Sequence, residues 1–285
     1  MAEPRANGRK NLFKKETIVI FALAILISCF CLAPSLVASA QNAVSAVLLM
    51  DADSGEILYS ENERARMEIA STTKILTAIT VIEHSDIFRI CEVPAAAIGV
   101  EGSSIYLRKG EKWRILDLLY GLMLRSGNDA AVALAVLTAG SVEKFSEQMN
   151  ETARKAGATG SNFVNPHGLH DPDHYCTALD LARITRYALN CEIFAEICKT
   201  KKHVCEKESS DRKREKEVFY NKNKLLASYP YATGVKTGYT KHSGRCLVSS
   251  AEKEGKRLIC VVLNVYDTYG VTRNLFDRYL KSKEE

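Results

Sequence analysis

The chain has 285 residues, 46% of them hydrophobic and 26% charged, with 39 Lys and Arg against 34 Asp and Glu for a formal charge of +5. That length fits one domain, or one domain with an inserted subdomain. A charge so nearly balanced gives no electrostatic case for a nucleic-acid partner.

The N-terminus is basic at Arg5, Arg9, Lys10, Lys14 and Lys15, continues into the apolar run IVIFALAILISCFCLA, and reaches Ala38, Ser39 and Ala40. This order is that of a secretory leader, residues 1–40, with cleavage expected after Ala40. The stretch from Ile18 to Ala33 ends at Pro34, short of the roughly 20 apolar residues a permanent anchor needs. LISC at Leu26–Cys29 offers a lipoprotein-type cleavage box as a secondary reading. Either way the working domain, residues 41–285, is expected to be extracytoplasmic. The leader carries five basic and two acidic residues, a net of +3, so its removal lowers the charge from +5 to +2. Seven cysteines remain, an odd number without a Cys-x-x-Cys pair, so they read as small apolar fillers, one disulfide aside, rather than a zinc or redox motif.

VSAVLLMDADSGEILYSENE opens the domain as two strands joined at Asp53, Ser54 and Gly55. An apolar helix beginning at Ser71 follows. From about Ile115 to Ala188 the pattern is mostly helical: ILDLLYGLML, DAAVALAVLTAG, VEKFSEQMNETARKAG with Gly157 as C-cap, and TALDLARITRYALN. A long ordered loop, SNFVNPHGLHDPDHY, separates the last two. Lys199–Cys205 and Glu217–Tyr220 read as strands flanking the exposed tip EKESSDRKREK. After GVKTGYT come the strands RCLVSSA and RLICVVLNV, then a final amphipathic helix, GVTRNLFDRYLKS. Strands at both ends with helices between them predict an α+β domain, an antiparallel sheet flanked by helices with a mostly helical subdomain.

The helix after Ser71 poses a chemical question. Ile75, Leu76, Ala78, Ile79, Val81 and Ile82 mark it for burial, yet Lys74 stands in its first turn, three residues from Ser71 and therefore on the same side. Ser71 alone could be an N-cap; that does not account for the lysine, because an uncompensated buried amine costs several kcal/mol or so. Ser-x-x-Lys by itself is weak, since it also occurs at Ser141/Lys144, Ser210/Lys213 and Ser250/Lys253, all in polar, exposed-looking text. Two further triplets add weight: Ser126-Gly127-Asn128 between helices, and Lys236-Thr237-Gly238 in a strand. Ser-x-x-Lys, Ser-x-Asn and Lys-Thr-Gly in this order form the signature of penicillin-recognising serine acyl-enzymes.

With these motifs the chain resembles the low-molecular-mass penicillin-binding proteins that act as D-alanyl-D-alanine carboxypeptidases. IASTTKILTA, LRKGEKWRILDLLYGLMLRSGNDAAVALA, NFVNPHGL, HYCTALDLA and VKTGYT carry the resemblance over nearly all of residues 41–285. Glu68 stands where proline is usual, Cys176 where serine is common, and YPYATG is bulkier than the usual run. The resemblance implies a β-lactamase/transpeptidase-like fold and a set of roles. Ser71 is the nucleophile, Lys74 its base and Ser126 a proton relay; Asn128 bonds the substrate peptide group and holds Lys74. Lys236 and Thr237 receive a terminal carboxylate, Gly238 lets a substrate strand approach, and the backbone N–H groups of Ser71 and Tyr239 form the oxyanion hole. The implied partners are peptidoglycan stem peptides ending in D-Ala-D-Ala, with β-lactam antibiotics as covalent inhibitors.

His167 and His170, a loop pair without a convincing third ligand, read as structural, so no metal and no cofactor are expected. Three other readings share the fold: a β-lactamase, a sensor acylated without turnover, and a D,D-endopeptidase. Class A β-lactamases deacylate with a loop glutamate, and the nearest text, RYALN, has Arg186 in that place. Many relatives continue into a β-rich domain and a membrane-anchoring helix. With 47 residues after Gly238, membrane attachment is expected only through the N-terminal segment, if it is uncleaved.

Overall fold

A computed structural model describes residues 44–281; the leader expected at residues 1–40 lies outside them. Strands β1 (Ala46–Asp51) and β2 (Ile57–Glu61) form the opening hairpin. Its turn is tied by the Asp51 carboxylate, which accepts from the Asp53 and Ser54 backbone N–H groups and the Ser54 hydroxyl. The helix expected from Ser71 begins as a 3-10 turn, Ala70–Thr73, and becomes α1 at Lys74–His84. Two short strands, β3 (Ile90–Glu92) and β4 (Lys112–Arg114), precede α2 (Ile115–Leu124), α3 (Asn128–Ala139) and α4 (Val142–Lys155). Next come α5 (Ala178–Leu189) and α6 (Glu192–Lys199), then the hairpin β5 (Lys202–Glu208) and β6 (Arg214–Tyr220). The short α7 (Leu225–Ser228) leads into β7 (Ala232–Thr240), β8 (Gly244–Lys253), β9 (Lys256–Leu263) and α8 (Thr268–Tyr279).

The main sheet is antiparallel, in the order β2-β1-β9-β8-β7, so the first and last strands pair at its centre. Alternation along β1 shows why its whole run is apolar: Ala46, Leu48 and Met50 face the larger core, while Val47 and Leu49 face Leu275 and Phe276 of α8. Both faces are covered. Among the described residues β7 pairs only with β8, leaving its outer edge next to the turn that carries Ser71. Among the described residues no helix is long and apolar enough to cross a membrane.

Two features depart from the sequence reading. The β5–β6 hairpin expected from the sequence is extended by β3 and β4 into a second sheet, β3-β4-β5-β6; β3 and β4 do not read as strands in the sequence, having three residues each, too few to display an alternating pattern. Ser250, read as exposed, is 4% accessible inside β8, where its hydroxyl bonds that of Thr233. The cysteines match the filler reading. All seven in the domain are free, and Cys176, Cys198, Cys205, Cys246 and Cys260 are buried.

Candidate active site

α1 runs through the centre of the core, with every residue from Lys74 to Val81 buried. Four of its side chains, Ile75, Leu76, Ile79 and Val81, are at most 2% accessible, and each contributes about 1.5–3 kcal/mol. Together they offset the several kcal/mol or so that a buried amine costs. The sequence therefore drags Lys74 inside with its helix, and the fold supplies it with partners. The Lys74 Nζ lies 2.9 Å from Ser71 Oγ, and donates to Asn128 Oδ1 at 2.7 Å and to the His167 carbonyl at 2.7 Å.

Ser71 is half-buried and does not cap α1; the residue before the helix, Thr73, makes no side-chain cap either. The backbone is constrained here. Ala70 has φ 47°, a left-handed conformation that costs an alanine on the order of 1–2 kcal/mol. The 165–170 loop presses on this turn: a Cβ on Gly168 would lie 1.9 Å from the Ala70 carbonyl oxygen, so that contact requires glycine. The same loop is pinned from behind. Val164 N–H donates to His174 Nδ1 at 3.2 Å, which assigns the proton to Nε2, and that group donates to Thr73 Oγ1 at 2.9 Å.

Asn128 opens α3, where its backbone N–H donates to the Ser103 carbonyl at 2.6 Å and its Nδ2 to the Glu101 carbonyl at 2.7 Å. One of the two amide hydrogens is thus committed, and the other has no partner among the described residues. Asp129 anchors the wall of this side, accepting from Ser104 Oγ and the backbone N–H groups of Ile105 and Leu107. Ser126 sits in the α2–α3 turn at φ 63° and is 5% accessible. Its hydroxyl makes no hydrogen bond to Ser71 or Lys74 among the described residues.

On the opposite side, β7 brings Lys236, Thr237 and Gly238 to the edge of the sheet. A Cβ on Gly238 would lie 3.1 Å from both the Ile69 carbonyl oxygen and the Ser71 nitrogen, so this strand passes directly against the turn that carries Ser71. Lys236 is 2% accessible and donates to the Thr237 carbonyl at 2.8 Å; Tyr239, next along, is 66% exposed.

The electrostatics favour a neutral amine at Lys74. Burial, then the charge of Lys236, then that of Lys222, hold its pKa well below the ordinary lysine value, with Asp129 opposing weakly. Burial and Lys222 also lower Lys236, to about 7. His167 is pushed down to about 3 and His174 to about 4, chiefly by burial, so both are neutral imidazoles near pH 7.

The fold thus gathers Ser71, Lys74, Asn128 and Gly238 at one point, with Lys236 and Thr237 on the adjoining strand. Sequence reasoning missed three contributors. The His167 backbone carbonyl holds Lys74, His174 secures the loop, and Lys222 adds a third cation while bonding Ser103 Oγ at 3.3 Å. No residue pattern advertises a carbonyl. Arg186 lies away from this centre, donating to the backbone carbonyls of Ala52 and Asp53.

Comparison with known proteins identifies the family. A family model described as D-alanyl-D-alanine carboxypeptidase matches residues 34–267. The D-alanyl-D-alanine carboxypeptidase DacF of Bacillus subtilis is 36% identical over 228 residues, 78% of this chain and 57% of DacF. A D-alanyl-D-alanine carboxypeptidase of Streptomyces is 33% identical over 75% of this chain and 78% of its own length. Among solved structures, the Streptomyces K15 DD-transpeptidase superposes with TM-score 0.73 at 32% identity, covering 76% of this chain and 88% of that one. The chain spans little more than half the length of the first of these relatives, DacF.

Proposed function

This chain belongs to the D-alanyl-D-alanine carboxypeptidase family, and from that premise we propose that it is a serine-type D-Ala-D-Ala carboxypeptidase working through an acyl-enzyme on Ser71. The observation that carries this reading is Lys74, a fully buried amine 2.9 Å from a serine hydroxyl and held by two carbonyl oxygens. A neutral amine in that position has two N–H bonds, which stay on Asn128 Oδ1 and the His167 carbonyl. Its lone pair then faces Ser71, whose hydroxyl becomes the donor.

The proposed reaction follows from those groups. Lys74 takes the Ser71 proton while Oγ attacks the carbonyl carbon of the penultimate D-alanine. The oxyanion that forms is received by the backbone N–H groups of Ser71 and Tyr239. The proton returns through Ser126 to the leaving nitrogen, the C–N bond breaks, and free D-alanine departs. Water then attacks the ester with Lys74 again as base, and Ser71 regains its proton. Lys236 and the Thr237 hydroxyl suit the terminal carboxylate, and the remaining Asn128 N–H suits the peptide carbonyl. The substrate class is peptidoglycan stem peptides ending in D-Ala-D-Ala, met outside the cytoplasm, with β-lactams as covalent inhibitors.

Mass spectrometry of the purified protein tests this. A muramyl pentapeptide should be converted to tetrapeptide plus D-alanine, and penicillin should leave a persistent adduct on the peptide containing Ser71. Rapid penicillin hydrolysis would point instead to a β-lactamase. An adduct without peptide cleavage would point to a sensor, and indifference to amidation of the substrate carboxylate to an endopeptidase.

A further inference from the structure

We propose that Glu68, His170 and His242 form a binding site for one divalent zinc-class cation at the rim of the cleft. This inference stands independently of the peptidase reading. The three side chains come from separate segments, and one donor atom from each lies within 4.8 Å of the others. Glu68 Oε1 and His170 Nδ1 are 2.8 Å apart, and the rings of His170 and His242 are parallel with centroids 4.2 Å apart.

The donor set is that of a zinc site: two imidazoles and one carboxylate, with the fourth position open to solvent. Zinc bonds of about 2.0–2.2 Å put tetrahedral donors roughly 3.3 Å apart. His170 and His242 are exposed and Glu68 is half-buried, so rotation about their side-chain torsions can close the remaining gap. An ion would occupy the place of the proton now shared by Glu68 and His170. Among the described residues Glu68 has no Lys or Arg partner that would compete for it.

This departs from the expectation of no metal, which considered only the loop neighbours His167 and His170. His167 takes no part, since its Nδ1 accepts from Leu169 N–H at 3.1 Å and its ring is largely buried. The second imidazole comes instead from His242, in the β7–β8 turn. A similar grouping, Asp117, His203 and Cys205, is less suited. Its carboxylate is already engaged twice by Arg114 and once by His203, and its thiol is pushed up to about 12 by burial.

The location gives the ion a consequence. Glu68 immediately precedes Ile69, Ala70 and Ser71; His170 follows Gly168, which packs on Ala70; His242 follows the strand carrying Lys236, Thr237 and Gly238. One ion would tie together three segments that frame the cleft and stabilise the folded state by mass action.

The test is zinc binding by tag-free, chelator-treated protein, followed by competition with a chromogenic chelator and by melting temperature. Saturable binding of one Zn2+ per chain, with a higher melting temperature, is expected. His242→Ala and His170→Ala should each weaken binding by about 100-fold or more, since even changes outside the ligand shell cost ~10–100-fold. Glu68→Gln should weaken it measurably, and His203→Ala should bind as the parent does. Circular dichroism verifies that each variant is folded. Absence of one-to-one binding overturns the proposal. So does unchanged affinity in folded His242→Ala or Glu68→Gln, or loss of binding in His203→Ala, which would move the site to the buried grouping.

Discussion

Ser71-Thr72-Thr73-Lys74 and Ser141-Val142-Glu143-Lys144 are the same motif at the start of two helices, and they have opposite fates. Ser141 is an N-cap: its hydroxyl accepts from the Lys144 backbone N–H at 3.2 Å, and the Lys144 side chain is in solvent. Ser71 lies instead in a 3-10 turn behind the left-handed Ala70, caps nothing, and turns its hydroxyl to the Lys74 Nζ. What differs is the text that follows. KILTAITV is apolar enough to bury all round, whereas VEKFSEQMNETARK is amphipathic and keeps Lys144 outside. Four letters specify a helix cap or a buried serine–lysine contact according to where the next two turns must go.

The largest effect should separate the two lysines. Lys74→Arg keeps the charge but removes a usable base, so acylation by penicillin, followed by stopped flow, should fall by about 10²–10⁴-fold. Lys144→Arg should leave it unchanged. Equal rates in the two variants would erase the distinction.

The glycines beside the two motifs sharpen it. A Cβ at Gly238 would sit 3.1 Å from the Ser71 nitrogen, so Gly238→Ala should disturb one oxyanion donor and lower kcat by about 10²–10³-fold. Nothing lies within 4 Å of a Cβ at Gly140, but its φ is 86°. Gly140→Ala should therefore leave kcat alone while costing about 1–2 kcal/mol of stability. Denaturant melts beside kinetics distinguish these outcomes.

Acid should act on the Ser71 region through its neutral imidazoles. Folded His167 and His174 titrate at about 3 and about 4, against an ordinary value of 6.5. As pH falls below 6.5 the unfolded state takes up protons first, so stability declines through that window to about pH 3. A tenfold difference in proton affinity between the folded and unfolded states is worth about 1.4 kcal/mol, so these two groups set a ceiling of about 8 kcal/mol on the loss. In urea melts His174→Gln should flatten this slope, and an unchanged slope would count against the assignment. Acylation should also rise with pH as Lys74 loses its proton.

The smallest effect reverses the first. Ser141→Ala should cost about 1 kcal/mol, a typical N-cap loss, and leave acylation intact. Ser71→Ala should abolish the penicillin adduct without a cap penalty. A stability loss in Ser71→Ala matching that of Ser141→Ala would show that both serines cap.

Much of the site was legible because local spacing carried it. Three residues of helix place Ser71 beside Lys74, and an apolar run forces that lysine inward, so the proposed nucleophile and base follow from the chain alone. The strand pattern around Lys236-Thr237-Gly238 and the continuous apolar runs of β1 and β9 were equally local. In the second sheet the β5–β6 hairpin was legible, but β3 and β4 were not, because they become strands only by pairing with one another and with β5.

The resemblance already implied that Asn128 holds Lys74; tertiary structure alone added the His167 carbonyl. The His167 carbonyl is 93 positions away in sequence and Asn128 54 positions away, and a backbone oxygen has no residue type to betray it. It also decided that Lys222 and Lys236 stand close enough to lower the amine, and that Glu68 and His170 meet His242 rather than His167. The sequence by itself determined which side chains must be buried, through hydrophobic period and helix spacing. The field around them sums over segments that are neighbours only once the chain has closed, and only the packed fold determines it.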